Sequence, residues 1–372
     1  GNVQQRKEVL DRWKEVDVLI TSYDLLRRDI TDYQELHFFC EVIDEAQYIK
    51  NHATQNAKAV KALRSRQRFA LTGTPIENRL SELWSIFDFL MPGFLYSYNR
   101  FRDSFELPIV KNADAEALDR LHRMTAPFIL RRLKRDVLHD LPEKTETIRT
   151  SVMGEEQRAL YLGNVLKARE RLADLTSGNA ESGRMVLLAL LTRLRQLCCD
   201  PALCYEDYTG GSAKLESCLE LLREAADGGH KVLLFSQFTS MLAILEERLR
   251  EEGITFYTLQ GSTSKEKRAA LVEAFNQDAT QVFLISLKAG GTGLNLTGAD
   301  VVIHYDPWWN LSAQEQATDR AHRIGQKNSV QVYKLIAKDT IEEKILRLQE
   351  SKKELADAVI RQGGSLFSLS PE

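Results

Sequence analysis

Two stretches of this chain alternate short apolar runs with segments of helical period, and the region between them is helical in pattern. In the first stretch VDVLITSY (16–23), FFCEVIDEA (38–46) and QRFALTG (67–73) have the apolar, β-branched and aromatic character of buried strands. TQNAKAVKALR (54–64) between the last two has helical spacing. In the second stretch KVLLFSQ (231–237), ITFYTLQG (254–261), QVFLISL (281–287), DVVIHYD (300–306) and VQVYKLIA (330–337) read as strands. The helices between them are predicted to begin near Thr239, Ser264 and Ser312, whose hydroxyls suit an N-cap. Strands alternating with helices predict an α/β fold with parallel sheets.

Residues 93–140 and 155–226 carry mostly helical pattern, including 155–175 and RMVLLALLTRLRQL (184–197), with the small, polar loop TSGNAESG (176–183) between those two helices. IEEKILRLQESKKELADAVI (341–360) reads as one charged amphipathic helix. The predicted architecture is two lobes. Residues 1–141 form the first, with a helical insertion near 93–127. Residues 142–372 form the second, with a helical insertion near 155–210 and a C-terminal helix over 340–360. No internal repeat of solenoid period is present.

A chain of 372 residues with 43% hydrophobic and 28% charged residues suits a soluble protein of two or three domains. The net charge of −3 advertises no nucleic acid, although a basic cleft is compatible with an acidic exterior. No apolar run reaches the length of a membrane span, and GNVQQRKEVL lacks the core of a signal peptide. The five cysteines (Cys40, Cys198, Cys199, Cys204, Cys218) suit a reducing cytoplasm. LCCDPALC lacks paired C-x-x-C knuckles and a nearby histidine, so buried structural thiols are expected rather than zinc.

Ligands of open α/β sheets bind beyond the carboxyl ends of the strands, and the candidate chemistry sits there. CEVI runs into Asp44 and Glu45. An aspartate at such a place holds Mg2+ through its water shell, and an adjacent glutamate serves as general base for an attacking water. A helix-capping acidic turn uses the same residues. FALTG runs into Thr72, Gly73, Thr74 and Pro75, by itself a weak turn signal. In the second stretch Ser236 and Gln237, then Gly261, Ser262 and Thr263, end strands ahead of helices, where free backbone N–H groups favour phosphate. SLKAGGTGLNLTGAD (286–300) adds Lys288, Gly290, Gly291, Thr292, Gly293 and Asn295, a backbone able to approach a phosphate or simply a tight turn. DPWWN (306–310) places Trp308 and Trp309 either in a core or at an interface. QEQATDRAHRIGQ (314–326) sets Arg320 and Arg323 three apart, on one face if the segment is helical. Two guanidiniums on one face suit the charge of a transferring phosphoryl group; a solvated face paired with Glu315 and Asp319 is the plainer alternative.

Taken together, these strings resemble the Swi/Snf (sucrose-nonfermenting-two) family of helicase-like ATPases of helicase superfamily two, in a phrasing similar to bacterial members. ITSYDLLRRD resembles motif Ib, DEAQYIKN motif II, and the stretch from Thr72 to Gly93 motif III. Motifs IV and V follow in order, and QEQATDRAHRIGQ resembles motif VI. FILRRLKRDVLHDLPEKTE (128–146), with its basic run Arg131, Arg132, Lys134 and Arg135, resembles the segment that joins and braces the two lobes. The resemblance covers about residues 16–345; Leu311 stands where the family usually has proline.

The resemblance implies two RecA-like (P-loop NTPase) lobes with ATP and Mg2+ bound between them. It makes Glu45 the general base, Asp44 the Mg2+ holder, and Arg320 and Arg323 arginine fingers. It implies ATP contacts from Gln47, Thr72, Thr74, Gly293 and Gln316. It also implies DNA contacts, mostly to the backbone, from Thr21, Ser22, Ser236, Gln237, Gly261, Ser262, Thr263, Lys288, Gly290, Gly291, Thr292, Asn295 and Trp308. The sequence contains no G-x-x-x-x-G-K-[ST] loop, so the chain is expected to be a fragment with an incomplete first lobe and nearly inactive alone. The expected function is ATP-driven translocation on double-stranded DNA that remodels protein–DNA complexes, in the cytoplasm and, for a bacterial protein, at the nucleoid. A strand-separating helicase and a nucleotide-independent DNA-binding scaffold are the alternatives.

Overall fold

The computed structural model describes residues 2–73, 79–132, 134–138, 140–175, 180–290 and 294–360. They form two compact units. One comprises the chain up to Arg131 together with the helix turns from Ser351; the other is Arg132–Glu350. Both contain a parallel sheet, as the α/β reading expects.

In the first unit β1 (His37–Ile43) and β2 (Arg64–Ala70) pair in parallel, with Cys40 opposite Gln67 and Ile43 opposite Ala70. The helix Gln55–Ala62 lies between them in sequence, and the Thr54 hydroxyl accepts from the Ala57 amide at its start. Ile43, Ile49, Ala57 and Val60 pack with Ile86 and Phe89 of the helix Leu80–Leu90. Other side chains of that helix, Leu83 and Phe87, join Phe101, Phe105, Leu118 and Leu121 in a second apolar cluster. Two expectations fail here. Residues 16–23 form no strand: the segment has no ladder partner among the described residues, and Val18 and Ile20 are 74% and 89% exposed. Apolar alternation makes a strand only where a neighbour satisfies its backbone groups. Nor are β1 and β2 buried on both faces, since Phe39, Val42, Phe69 and Leu71 are all more than half exposed.

The second unit is built on a six-stranded parallel sheet ordered β3-β8-β7-β4-β6-β5. Its strands are β3 (Lys144–Ser151), β4 (Val232–Ser236), β5 (Phe256–Leu259), β6 (Val282–Ser286), β7 (Val301–His304) and β8 (Val330–Ala337). Successive side chains enter opposite cores. Leu234, Leu284 and Ile303 pack with the helices Ala213–Asp227 and Thr239–Glu251, whereas Leu233, Phe283 and Val302 pack with Phe275, Leu296 and Ala317. β4, β6 and β7 are buried throughout, which is why their sequences are continuous apolar runs. The predicted strands of this lobe all form. β3 was not predicted: KTETIRTS holds one large apolar residue, Ile148, half exposed, and the strand is recruited by its ladder with β8.

The helices Glu155–Leu175 and Ala180–Cys199 both form, but the second begins four residues early, so 180–183 of the predicted loop are helical; residues 176–179 lie outside the described residues. The last helix is Ile341–Ile360. Ser264 caps its helix as expected, but Thr239 is a first helical residue behind Phe238, and Asn310 caps in place of Ser312. Cys198, Cys199 and Cys218 are buried free thiols, and Cys40 is exposed. Among the described residues no group of three or more His, Cys, Asp or Glu could hold a metal ion, and no helix is long and apolar enough to cross a membrane.

Candidate functional site

At the carboxyl end of β1 the chain turns sharply. Glu45 sits in the left-handed region at φ 51°, ψ 55°. The Asp44 carboxylate accepts the Glu45 amide at 2.9 Å, the Tyr23 hydroxyl donates to the Asp44 carbonyl at 2.7 Å, and the Ala46 amide donates to the carbonyl of Leu71 beyond β2. Gln47 Nε2 donates to Glu45 Oε2 at 2.6 Å, and its Oε1 accepts from the Thr72 hydroxyl at 3.0 Å. The two strand ends are thereby linked through side chains as well as backbone. Burial, then the charges of Asp44 and Glu45, push the Tyr23 phenol upward and keep it a donor. Asp44 is exposed, and among the described residues its second carboxylate oxygen has no protein partner. A singly engaged, solvent-facing carboxylate at a strand end fits Mg2+ held through water, because that ion takes few protein ligands. Ser22 caps the helix Tyr23–Arg28 by accepting from the Leu25 amide, and Thr21 is exposed beside it.

In the second unit Asp306, fully buried after β7, organises the neighbouring strand end. It accepts from the Ser236 hydroxyl at 2.6 Å, from the Gln237 amide at 3.2 Å and from the Gln237 side chain. Arg195, 3% exposed, reaches in from the helix Ala180–Cys199. Its Nη1 donates to Gln237 Oε1 at 2.8 Å, and its Nη2 donates to the Pro307 carbonyl at 2.6 Å and to Asp306 at 3.5 Å. Ser236 is therefore an interior residue, whereas Gln237 lines a cavity of about 350 Å³ with Thr239, Gln260, Gly261, Ser262 and Ser286. The cavity opens at the carboxyl ends of β4, β5 and β6. Thr263 shapes its rim by accepting the Gln260 amide at 3.1 Å.

The helix Leu311–Thr318 ends before the arginines, so they do not share a helical face. The Leu296 amide captures the Arg320 carbonyl at 3.0 Å, and this tertiary bond replaces a further helical turn. Arg320 is 6% exposed, Arg323 is exposed, and Gln316 is half buried on the helix. Asp319 pairs with Lys134 at 2.7 Å rather than with either arginine, and His322 Nε2 bonds the Pro142 carbonyl at 2.8 Å. The segment from 134 to 142 is thus tied to the arginine turn. Trp308 is half buried against the second core of the sheet, and Asn295 is exposed. Gly290 ends the short helix Leu287–Gly290. Thr74, Gly291, Thr292, Gly293 and the Lys288 side chain lie outside the described residues. Reading by motif missed Tyr23, Arg195 and Asp306 as organisers of these strand ends. The available signal for Arg195 was an arginine inside the apolar run of its helix.

The first unit thus carries an acidic strand end, and the second a cavity at neighbouring strand ends and an arginine turn. The sequence matches the SNF2-related domain over residues 1–203 and the helicase conserved C-terminal domain over residues 213–325. The chain belongs to the SNF2 family. It is 40% identical over 368 residues to a putative ATP-dependent helicase/translocase of Bacillus subtilis, covering 97% of this chain and 40% of that protein. It is also 40% identical over 352 residues to an uncharacterized ATP-dependent helicase of Mycoplasma pneumoniae, covering 94% of this chain and 33% of that protein. The chain spans about a third to two fifths of the length of these curated relatives. Among solved structures, the SWI2/SNF2 ATPase core of Sulfolobus solfataricus in complex with double-stranded DNA is 38% identical, with a TM-score of 0.51 over 93% of this chain and 73% of that one.

Proposed function

We propose that this chain is a motor portion of an ATP-driven protein that translocates on double-stranded DNA and remodels protein–DNA complexes. The observation that carries the reading is the Glu45 turn: an acidic strand end whose carboxylate is held at 2.6 Å by Gln47, itself held by Thr72 of the next strand end. In the proposed reaction Glu45 accepts the proton of the attacking water. Asp44 would hold Mg2+, which when bound neutralises phosphate charge. Gln47 and Thr72, with Thr74, Gly293 and Gln316, would contact ATP, while Arg323 and Arg320 would counter charge on the transferring phosphoryl group.

Duplex DNA is proposed to be held through its backbone. Gln237, Gly261 and Ser262 line the cavity, Thr263 follows them, and Thr21 and Asn295 are exposed. Such contacts predict sequence-tolerant, salt-sensitive binding. Strand separation is the second reading, favoured by the helicase names of the relatives.

The test is ATP turnover by a polypeptide carrying this chain together with a phosphate-binding loop, with duplex DNA, single-stranded DNA or neither. Duplex-stimulated turnover lost in Glu45→Gln supports the translocase. Stimulation mainly by single strands, with strand displacement, favours the helicase, and no turnover under any condition refutes both.

A further inference from the structure

Glu45 adopts a left-handed backbone although it carries a Cβ. That conformation costs on the order of 1 kcal/mol and persists only where neighbours enforce it. The enforcement is visible in one peptide plane. The Asp44–Glu45 peptide is a rigid unit whose oxygen and hydrogen point oppositely. Its N–H is taken by the Asp44 carboxylate, and its carbonyl accepts from the Tyr23 hydroxyl at 2.7 Å. Rotating that plane changes φ of Glu45 and so redirects its side chain. Only the carbonyl end is held by a distant part of the chain. Tyr23 is the first residue of the helix Tyr23–Arg28 and directly follows Thr21 and Ser22. Its ring also packs on that of Tyr48, centroids 5.4 Å apart, on the far side of the turn.

We propose that Tyr23 is a positioning residue that transmits a nucleic-acid backbone contact at Thr21 or Ser22 to the orientation of the Glu45 carboxylate. The proposal rests on the reading of Asp44 and Glu45 as the ATP-hydrolysing acid pair. Tyr23 touches neither nucleotide nor reacting water; it acts through the carbonyl of Asp44. The turn is the two-state element that coupling requires: left-handed when the peptide plane is pinned at both ends, relaxed when its carbonyl is released. The Tyr23 phenol stays protonated, so the link does not depend on pH near neutrality.

The test is Tyr23→Phe, which keeps the ring and its packing and removes one hydroxyl, in a polypeptide carrying this chain and a phosphate-binding loop. The ratio of duplex-stimulated to DNA-free kcat is expected to fall about tenfold, the equivalent of one hydrogen bond, while the half-saturating concentration of a random-sequence duplex stays within about twofold of wild type. Hydrogen exchange gives a readout independent of turnover: duplex should change exchange of the 44–47 amides in wild type and leave it unchanged in Tyr23→Phe. Wild-type stimulation in the variant, an equal loss of basal and stimulated turnover, or the same exchange response in both proteins overturns the proposal. A Glu45→Gln variant that turns over like wild type overturns the underlying reading of the acid pair instead.

Discussion

Arg323 donates through Nη1 to the carbonyl of Leu294 at 3.3 Å, while two residues along the same segment the Leu296 amide donates to the carbonyl of Arg320. The arginine turn and the segment after the glycine-rich stretch are therefore laced together, with one arginine side chain buried and the other exposed. This asymmetry separates two roles that the sequence presents as equal. Arg323→Ala is expected to leave the unfolding transition within about 0.5 kcal/mol of wild type and to abolish duplex-stimulated turnover. Arg320→Ala is expected to destabilise the second unit by about 2–4 kcal/mol, because a buried guanidinium is removed from its surroundings. Denaturant unfolding of both variants beside the turnover assay checks the split; equal destabilisation would remove it.

The two sheets should differ in protection. β1 and β2 form a two-stranded sheet with Phe39, Val42, Phe69 and Leu71 exposed, whereas β4, β6 and β7 are buried on both faces. Two strands covered on one face only give little local stability. Amides of Val42 and Phe69 are expected to exchange at least about a hundredfold faster than those of Leu234, Leu284 and Ile303. Matching rates in native-state hydrogen exchange would contradict this.

Legibility followed burial. Strands such as VLLFS and VFLIS were readable because both faces lie in a core, which forces a continuous apolar run. VDVLITSY is also largely apolar but has no ladder partner among the described residues, and it forms no strand. KTETIRTS has almost no apolar signal and becomes a strand through its ladder with β8 alone. The acid pair stood out because Asp-Glu closing an apolar strand is chemically costly. Its support did not: the bonds from Tyr23 to Asp44 and from Arg195 to Gln237 join residues 21 and 42 positions apart, a separation that local periodicity does not encode.

The second unit should lose stability between neutral and mildly acidic pH through one histidine. His304 is enclosed in β7, with Nε2 bonded to the Thr318 hydroxyl at 2.8 Å and the ring stacked on Phe235. Burial, then the charges of Lys334 and Lys144 against the opposing Glu146, lowers it from 6.5 to about 3. The unfolded chain takes up a proton below pH 6.5 that the folded chain refuses, so stability falls as pH drops from 6.5 towards 3, by at most about 1.4 kcal/mol per unit. Burial raises Glu146, but hydrogen bonds from Lys144 and Lys334 hold it at about 2, so its own contribution is lost only below about 4.5. Opening free energies of β7 amides at pH 7 and pH 5 should differ by about 2 kcal/mol more in wild type than in His304→Asn. Parallel pH dependence in the two proteins would remove His304 as the cause.

The cavity at the ends of β4, β5 and β6 depends on a residue outside it. Arg195 joins Gln237, a wall of that cavity, to the Pro307 carbonyl and to buried Asp306. Arg195→Ala strips donors from three acceptors, of which Asp306 is fully buried, at a cost of about 2–4 kcal/mol. Loss of DNA binding in that variant would not distinguish unfolding from a local effect. Arg195→Lys does, because it keeps the charge on a single donor nitrogen but cannot span Gln237 and Pro307 with a planar fork. It is expected to lose less than about 2 kcal/mol and yet to raise the half-saturating duplex concentration several-fold, since Gln237 then keeps its bonds to Asp306 but loses its tether to Arg195 at the cavity wall. Duplex binding by Arg195→Lys equal to wild type at the same salt concentration would show that Gln237 does not need its tether to Arg195.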